Sequence, residues 1–387
     1  MSEKKRVLII SPSNTGTIPR RSLGLYEAMS AREDVIVKLV HIHHYDNGFP
    51  EYEQSEWHEG KTTFLQSVFG GISRVKWLKK IKKEFRPQLT ISMLSGCSTT
   101  SVMSGGDDLK IGIFRAPISQ IKGLWLQYFI AKLSYRFIYP RLDHLFCISK
   151  EIEEYIKTEF PWIPSSKLEV VYNVFDFEKI NKLSIIDLPE GEFNMFFDGK
   201  VILSVGRVES IKAPERLVKA FIKSGLANNG YRLVFVGEDV NETVAKLINL
   251  VKGRVEEDKI HFLGNKKNPY QYMAHSTAIV SSSKSEGLPG VLIESLIVGK
   301  PIVTTNSSRG VWEILSCDEQ YDANLQNIVQ VSDGIITPNT SDEQLNIEQL
   351  AIALNEIVGE QYKEVKAPFL QKVTSEYIVD KYLNCIK

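Results

Sequence analysis

Two glutamates bracket a glycine- and proline-punctuated loop in the stretch Ser285-Glu286-Gly287-Leu288-Pro289-Gly290-Val291-Leu292-Ile293-Glu294. Residues 278–282 before it read as a short buried strand, and Pro289 suits the first turn of an apolar helix, where its missing N–H costs nothing. Gly287 and Gly290 let backbone amides approach a ligand closely. The unpaired N–H groups and positive dipole end of that helix favour an anion such as phosphate. Glu286 then sits beside whatever the phosphate carries, and Glu294, a turn further on, reaches a second hydroxyl-rich part of the same ligand. A carboxylate accepts well from sugar hydroxyls and poorly tolerates a bare phosphate, so the loop reads as a nucleotide-sugar site.

A second cluster supplies the missing charge. In Val205-Gly206-Arg207-Val208-Glu209-Ser210-Ile211-Lys212-Ala213-Pro214 a strand ends at Gly206 and a helix begins near Pro214, with Arg207 and Lys212 on the loop between them. A diphosphate leaving group carries about two negative charges, which an arginine clamps bidentately and a lysine neutralises as a point charge. Two solvated cations at a helix start are the plain alternative. The glutamate loop on the same half of the chain argues against it.

These residues need a scaffold of strands and loops. The 387 residues exceed one ordinary core and imply two domains. With 43% hydrophobic and 24% charged residues the composition is that of an ordinary soluble protein. Lys+Arg and Asp+Glu balance at 47 each, which points to no nucleic-acid partner. No apolar run is long enough for a signal-peptide core or a membrane span. Cys97, Cys147, Cys317 and Cys385 have neither pairing nor metal-ligand spacing, which reads as free thiols in a cytoplasmic protein.

Short β-branched runs alternate with amphipathic stretches throughout, the pattern of parallel sheets flanked by helices. Strands are expected at 6–11, 35–41, 89–93, 111–114, 145–149 and 168–172. After a charged, turn-rich linker at 175–199 the pattern restarts at 201–205, 232–236, 260–263, 278–281, 301–305 and 334–336. The fold class is therefore α/β, two Rossmann-like domains facing across a central cleft, with ligands at the carboxyl ends of the strands. The expected domains are 1–180 and 181–367, with a terminal helix in 368–387 packing back on the first.

The combination of Gly206, Arg207 and Lys212 with the E-x7-E pair Glu286 and Glu294 resembles the large retaining glycosyltransferase family 4, of GT-B fold. Cys147-Ile148-Ser149-Lys150, Val171 to Asp176, Gly299 to Thr305 and Gly310 to Glu313 resemble its crossover, strand and loop segments. The resemblance is dense over the second half and loose over the first. It implies that Arg207, Lys212 and Glu286 carry the chemistry. Arg207 and Lys212 would hold the diphosphate, Glu294 the ribose hydroxyls and Glu286 the sugar hydroxyls. The backbone across Gly287, Leu288, Pro289, Gly290 and Val291 would cradle phosphate and sugar. Gly237 and Asn265 would lie near the base. In the first half, Asn14-Thr15-Gly16 resembles the family's glycine loop, with Gly16 facing the nucleotide sugar and Asn14 and Thr15 on the acceptor side.

One departure matters. Many members carry a histidine after the fourth strand of the first domain, where this chain reads Gly112-Ile113-Phe114-Arg115-Ala116-Pro117. Arg115 is instead a candidate contact for nucleotide sugar or acceptor. His41, His43 and His44 fit no standard metal-ligand set, and Asp107-Asp108 reads as part of a turn. The basic run 76–83 reads as a solvated helix face with a minor claim to anionic lipid. The aromatic helix at 125–139 reads as core that could also line the route of a lipid-linked acceptor.

The resemblance implies a retaining, metal-independent transferase with no bound cofactor and a nucleoside-diphosphate sugar, UDP before GDP, as co-substrate. The acceptor would be a glycan or polyprenyl-diphosphate-linked glycan of bacterial surface polysaccharide, met at the cytoplasmic membrane face by peripheral contact. Rival readings are a nucleotide-sugar epimerase of the same fold, which needs no acceptor, and a non-enzymatic two-lobed sugar-binding protein, which needs no paired cations. A phosphorylase would require a Schiff-base lysine that nothing marks.

Overall fold

The computed structural model describes residues 4–13, 17–43, 64–121, 123–317, 321–359, 362 and 364–386. Contacts divide the chain into two compact units, Met1–Asp176 with Lys372–Lys387, and Phe177–Gln371.

The first unit runs β1 (Lys5–Ser13), α1 (Thr17–Ser30), β2 (Val35–His43), α2 (Phe64–Phe85), β3 (Leu89–Ser92), α3 (Ser95–Ser104), β4 (Leu109–Phe114), α4 (Trp125–Phe137), β5 (His144–Cys147), α5 (Lys150–Glu159) and β6 (Leu168–Val170). The strands form one sheet in the order β2-β1-β3-β4-β5-β6. Every pair is parallel, with Val7 opposite both Val37 and Leu89. Val7 to Ile10, Leu89, Ile91 and Ile111 are fully buried, as strands covered by helices on both faces must be.

The second unit runs α6 (Phe177–Ser184), α7 (Glu190–Phe196), β7 (Val201–Val205), α8 (Pro214–Ser224), β8 (Arg232–Val236), α9 (Thr243–Val251), β9 (Ile260–Phe262), α10 (Tyr270–Ala274), β10 (Ala278–Ser281), α11 (Gly290–Ile297), β11 (Ile302–Thr305), α12 (Arg309–Leu315), β12 (Val329–Val331), β13 (Gly334–Thr337) and α13 (Glu343–Ile357). Its sheet order is β12-β13-β11-β10-β7-β8-β9, parallel except for the β12–β13 hairpin at one edge. The chain leaves β7 toward β8 on one side and later returns to β10 on the other. The carboxyl ends of β7 and β10 are therefore the switch point at which such sheets bind ligands. The closing helix α14 (Ser375–Leu383) packs on α1 in the first unit. There Arg32 pairs with Asp380 at 2.9 Å, and Lys381 with Glu169 at 2.6 Å.

Three features differ from the sequence-based reading. The stretch 175–199 is not a loose linker: it forms α6 and α7. Because α6 packs on α10 and α11, and Asn268 Nδ2 donates to Leu183 O at 2.8 Å, the unit boundary falls at Asp176 rather than 180. The basic run on α2 is not wholly solvated. Lys82 is buried, its Nζ 2.9 Å from Asp108 Oδ2, and burial lowers its pKa while Asp108 counters that shift. Asp108 thus anchors α2 rather than merely turning the chain. The third difference is α4, read as core but facing outward, with Tyr135 its one buried residue.

Candidate functional site

The loop after β7 is shaped by backbone contact. Gly206 has φ 142°, a conformation that favours glycine. A Cβ on Gly237 would lie 1.8 Å from the Gly206 carbonyl oxygen, so the two loops touch only because Gly237 lacks one. The strand pairing then continues beyond β7: Val208 N donates to Glu238 O at 2.8 Å, and Val240 N to Val208 O at 3.1 Å. This carries Arg207 and Lys212 along the carboxyl edge of the sheet. A single 3-10 turn over Ser210–Lys212 ends at Ala213, which is left-handed at φ 46°, ψ 50°. That conformation costs an alanine about 1–2 kcal/mol. Ser282 Oγ offsets part of it by donating to Lys212 O at 2.8 Å and Ala213 O at 3.0 Å.

The loop after β10 is held from three sides. Thr305 Oγ1 donates to Ser283 O at 2.6 Å, Asn339 Nδ2 to Lys284 O at 2.8 Å, and Lys284 N to Ile211 O at 2.8 Å. Further along, Glu286 N donates to Ser307 O at 3.2 Å and Ser308 Oγ to Gly287 O at 3.0 Å. A Cβ on Gly310 would come within 2.5 Å of Gly287 O, so that glycine lets α12 press on the loop. Pro289 is the N-cap of α11, whose first amides, on Gly290 and Val291, have no acceptor within the helix. Glu294 lies one turn into α11 and is half-buried.

Between these loops one cation, Lys212, meets one acid, Glu286. Lys212 Nζ is 2.5 Å from Glu286 Oε1, the same oxygen that accepts from Ser283 Oγ at 2.7 Å. A small cavity beside them is lined by Gly206, Arg207, Lys212, Ser281, Ser283 and Val291. It joins the cationic loop to the start of α11. The Arg207 guanidinium is largely exposed and pairs with Glu209 at 2.8 Å. Cationic donors, a helix N-terminus and a carboxylate thus converge on one edge of the sheet, a combination suited to a ligand with both phosphate and hydroxyl groups.

The other candidates fall elsewhere. Gly237 N donates to Gly264 O at 2.9 Å, and Asn265 is exposed on the loop that follows. Asn14, Thr15, Gly16 and His44 lie outside the described residues. His41 Nδ1 is 2.7 Å from Ser13 O. Arg115 is turned into the carboxyl edge of the first sheet: Nε donates to Met93 O at 3.1 Å and Nη1 to Asn173 Oδ1 at 2.8 Å. Burial lowers its pKa to about 10, against the opposing influence of nearby Tyr382.

Sequence reasoning missed Arg216. Buried in α8, it donates through Nε and Nη2 to both Glu343 oxygens at 2.9 and 2.6 Å, and through Nη1 to Asn339 Oδ1 at 2.9 Å. It thereby ties the helix following Lys212 to α13 and, through Asn339, to the Glu286 loop. No local spacing marks such a residue, because Glu343 and Asn339 lie more than a hundred positions away.

Residues 192–361 match the family model described as Glycosyl transferases group 1. An uncharacterized glycosyltransferase of Methanocaldococcus jannaschii is 27% identical over 259 residues, 64% of this chain and 62% of that protein. The N-acetylgalactosamine-N,N'-diacetylbacillosaminyl-diphospho-undecaprenol 4-alpha-N-acetylgalactosaminyltransferase of Campylobacter jejuni is 32% identical over 182 residues, 47% of this chain and 46% of that one. The chain therefore spans about half to three-fifths of the length of these curated relatives. Among solved structures, Anabaena HepE in complex with UDP and glucose aligns over 99% of both chains at 15% identity with a TM-score of 0.67. Likeness at that identity shows the fold, which is GT-B. The residues matched by the glycosyl transferases group 1 model contain both the Arg207–Lys212 loop and the Glu286–Glu294 segment.

Proposed function

We propose that this chain is a retaining, metal-independent glycosyltransferase. It moves a sugar from a nucleoside diphosphate, a UDP sugar before a GDP sugar, to a hydroxyl of a glycan or polyprenyl-diphosphate-linked glycan in bacterial surface polysaccharide assembly. The observation that carries this reading is the 2.5 Å contact between Lys212 Nζ and Glu286 Oε1. A diphosphate at the start of α11 offers Lys212 and Arg207 a more highly charged partner than a single carboxylate. Glu286 is then released to accept from sugar hydroxyls, while Glu294 accepts from the ribose.

In this reading the reaction is a same-face displacement. The bond from the anomeric carbon to the phosphate oxygen breaks as the acceptor oxygen bonds to the same face. The departing phosphate takes the acceptor's proton. Positioning and stabilisation of the leaving charge supply the rate. In the first unit this reading assigns Gly16 to the nucleotide sugar, and Asn14, Thr15 and Arg115 to the acceptor side. The partners are the nucleotide sugar, the lipid-linked or free glycan, and the cytoplasmic membrane face at which a lipid-linked glycan is met. Relatives named for a diphospho-undecaprenol acceptor, O-antigen biosynthesis and capsular polysaccharide biosynthesis support this choice, as does the UDP in HepE.

Melting the purified chain in the presence of UDP, GDP and their sugars tests the reading, because a ligand of the native state raises Tm by mass action. A rise with UDP sugars that is lost in Lys212→Ala is expected. No rise with any nucleoside diphosphate would overturn it.

A further inference from the structure

Helix α4 presents to water the residues a core helix would bury. Trp125, Phe129 and Phe137 are 74%, 55% and 63% exposed, and Leu126, Ile130 and Leu133 are exposed with them. At about 100° per residue these six occupy a single face roughly 140° wide. A contiguous apolar patch of this kind marks a contact surface rather than ordinary exposure.

The charges that α4 itself carries have one sign. None of the residues of α4, Trp-Leu-Gln-Tyr-Phe-Ile-Ala-Lys-Leu-Ser-Tyr-Arg-Phe, is acidic. Lys132 borders one edge and Arg136 lies just inside it, held over the Tyr128 and Trp162 rings at 5.0 and 5.2 Å. Beside α4 lies an apolar groove of about 1150 Å³ shared with α2 and α3, and its α2 wall carries Arg74, Lys76 and Lys79.

We propose that the exposed face of α4 docks on an anionic lipid bilayer, lying in the plane of the headgroup–acyl boundary. Aromatic and aliphatic side chains bury there, while lysine and arginine stems reach back to lipid phosphates. A second copy of the chain is a poorer occupant, because it would bring the cations of two α4 helices into one interface with no acid on either helix to pair them. The surface rests on the proposed reading that the acceptor is met at a membrane, and gives that contact a location.

Flotation of the full chain with phosphatidylcholine vesicles, with and without phosphatidylglycerol, tests it. Wild type should float with the anionic vesicles and release as salt rises. The Trp125→Ser/Phe129→Ser variant and, separately, Lys132→Glu should partition about tenfold or more weakly. Their melting temperatures and nucleotide-induced shifts should match wild type. Absence of flotation, or flotation unchanged in both variants, overturns the proposal. So does a dimer in sedimentation that the double variant dissolves, which assigns the face to a second copy. A wild type that shifts with nucleotide but never floats defeats this surface alone. One that floats but shows no nucleotide shift defeats the transferase reading alone.

Discussion

Lys212 Nζ and Glu286 Oε1 stand 2.5 Å apart although 74 positions separate the two residues. The reason is topological. β7 and β10 are sheet neighbours, with Ala278 opposite Ile202 and Ile279 opposite Leu203, so the loops leaving their carboxyl ends emerge side by side.

Removing either cation should slow transfer far more than it perturbs folding. Lys212→Ala and Arg207→Ala are expected to lower kcat/KM by about a hundredfold or more, the scale of losing one stabilising donor for leaving-group charge. Steady-state assays on variants whose melting curves match wild type check this. Near-normal turnover in both would remove the diphosphate clamp.

Two glycines that contribute no side chain should nonetheless matter for nucleotide affinity. In Gly237→Ala the new Cβ meets the Gly206 carbonyl at 1.8 Å, and in Gly310→Ala it meets Gly287 O at 2.5 Å. In each case backbone must move, at a cost of about 1–3 kcal/mol, and a ligand-facing loop moves with it. Denaturant titration should show the loss of stability, and nucleotide titration a parallel loss of affinity. Unaltered affinity in both variants would contradict the packing role.

The Arg216–Glu343 pair should leave a mark on acid stability. Hydrogen bonds from Arg216 hold the Glu343 carboxyl below its ordinary value near 4.5. A depressed carboxyl contributes stability that is full above that ordinary value and fades as pH falls through the lower folded value. Unfolding free energies from pH 6 to pH 3 should therefore fall more steeply in wild type than in Arg216→Met. At neutral pH, Glu343→Ala should be the costlier change, on the order of 2 kcal/mol, since it strands a buried guanidinium.

The first unit contains a buried ion pair whose two halves should not be separable. The Lys82 and Asp108 side chains are 6% and 2% exposed and 2.9 Å apart, with Lys110 Nζ also 3.5 Å from the aspartate. Asp108→Asn alone should cost about 3 kcal/mol or more, because the buried Lys82 ammonium loses its carboxylate, and Lys82→Met less, because Lys110 stays beside the aspartate. The double variant should cost less than the sum. Strict additivity in thermal or denaturant unfolding would rule out the coupling.

The strands carried their own signal. β7, β8 and β10 lie at the positions their β-branched runs indicate, and α5 follows directly from the amphipathic run at 150–159. Helix α3 carried none. Its Ser-Gly-Cys-Ser-Thr-Thr-Ser-Val-Met-Ser sequence has little apolar periodicity. Its hydroxyls bond back to the preceding turn, Ser98 Oγ to Leu94 O at 3.3 Å and Thr100 Oγ1 to Gly96 O at 3.1 Å, so tertiary packing decides its state. Helix α4 misled for a different reason. Amphipathic spacing reveals that an apolar face exists but not whether protein or solvent meets it. At the site, motif spacing identified Lys212 and Glu286, whereas Arg216, Ser282 and Ser308 act on partners distant in sequence. The contact of Gly237 with Gly206 depends on a missing atom and becomes visible only in three dimensions.

Comparative titration of UDP and a UDP sugar into wild type, Lys212→Ala and Glu286→Gln tests the shared-ligand account most directly. Lys212→Ala should bind both ligands weakly. Glu286→Gln should bind UDP like wild type but lose the additional affinity for the sugar-bearing form. Wild-type affinity of Lys212→Ala for UDP, or an equal loss of both ligands in Glu286→Gln, would contradict the assignment of phosphate to the cations and sugar to the acid.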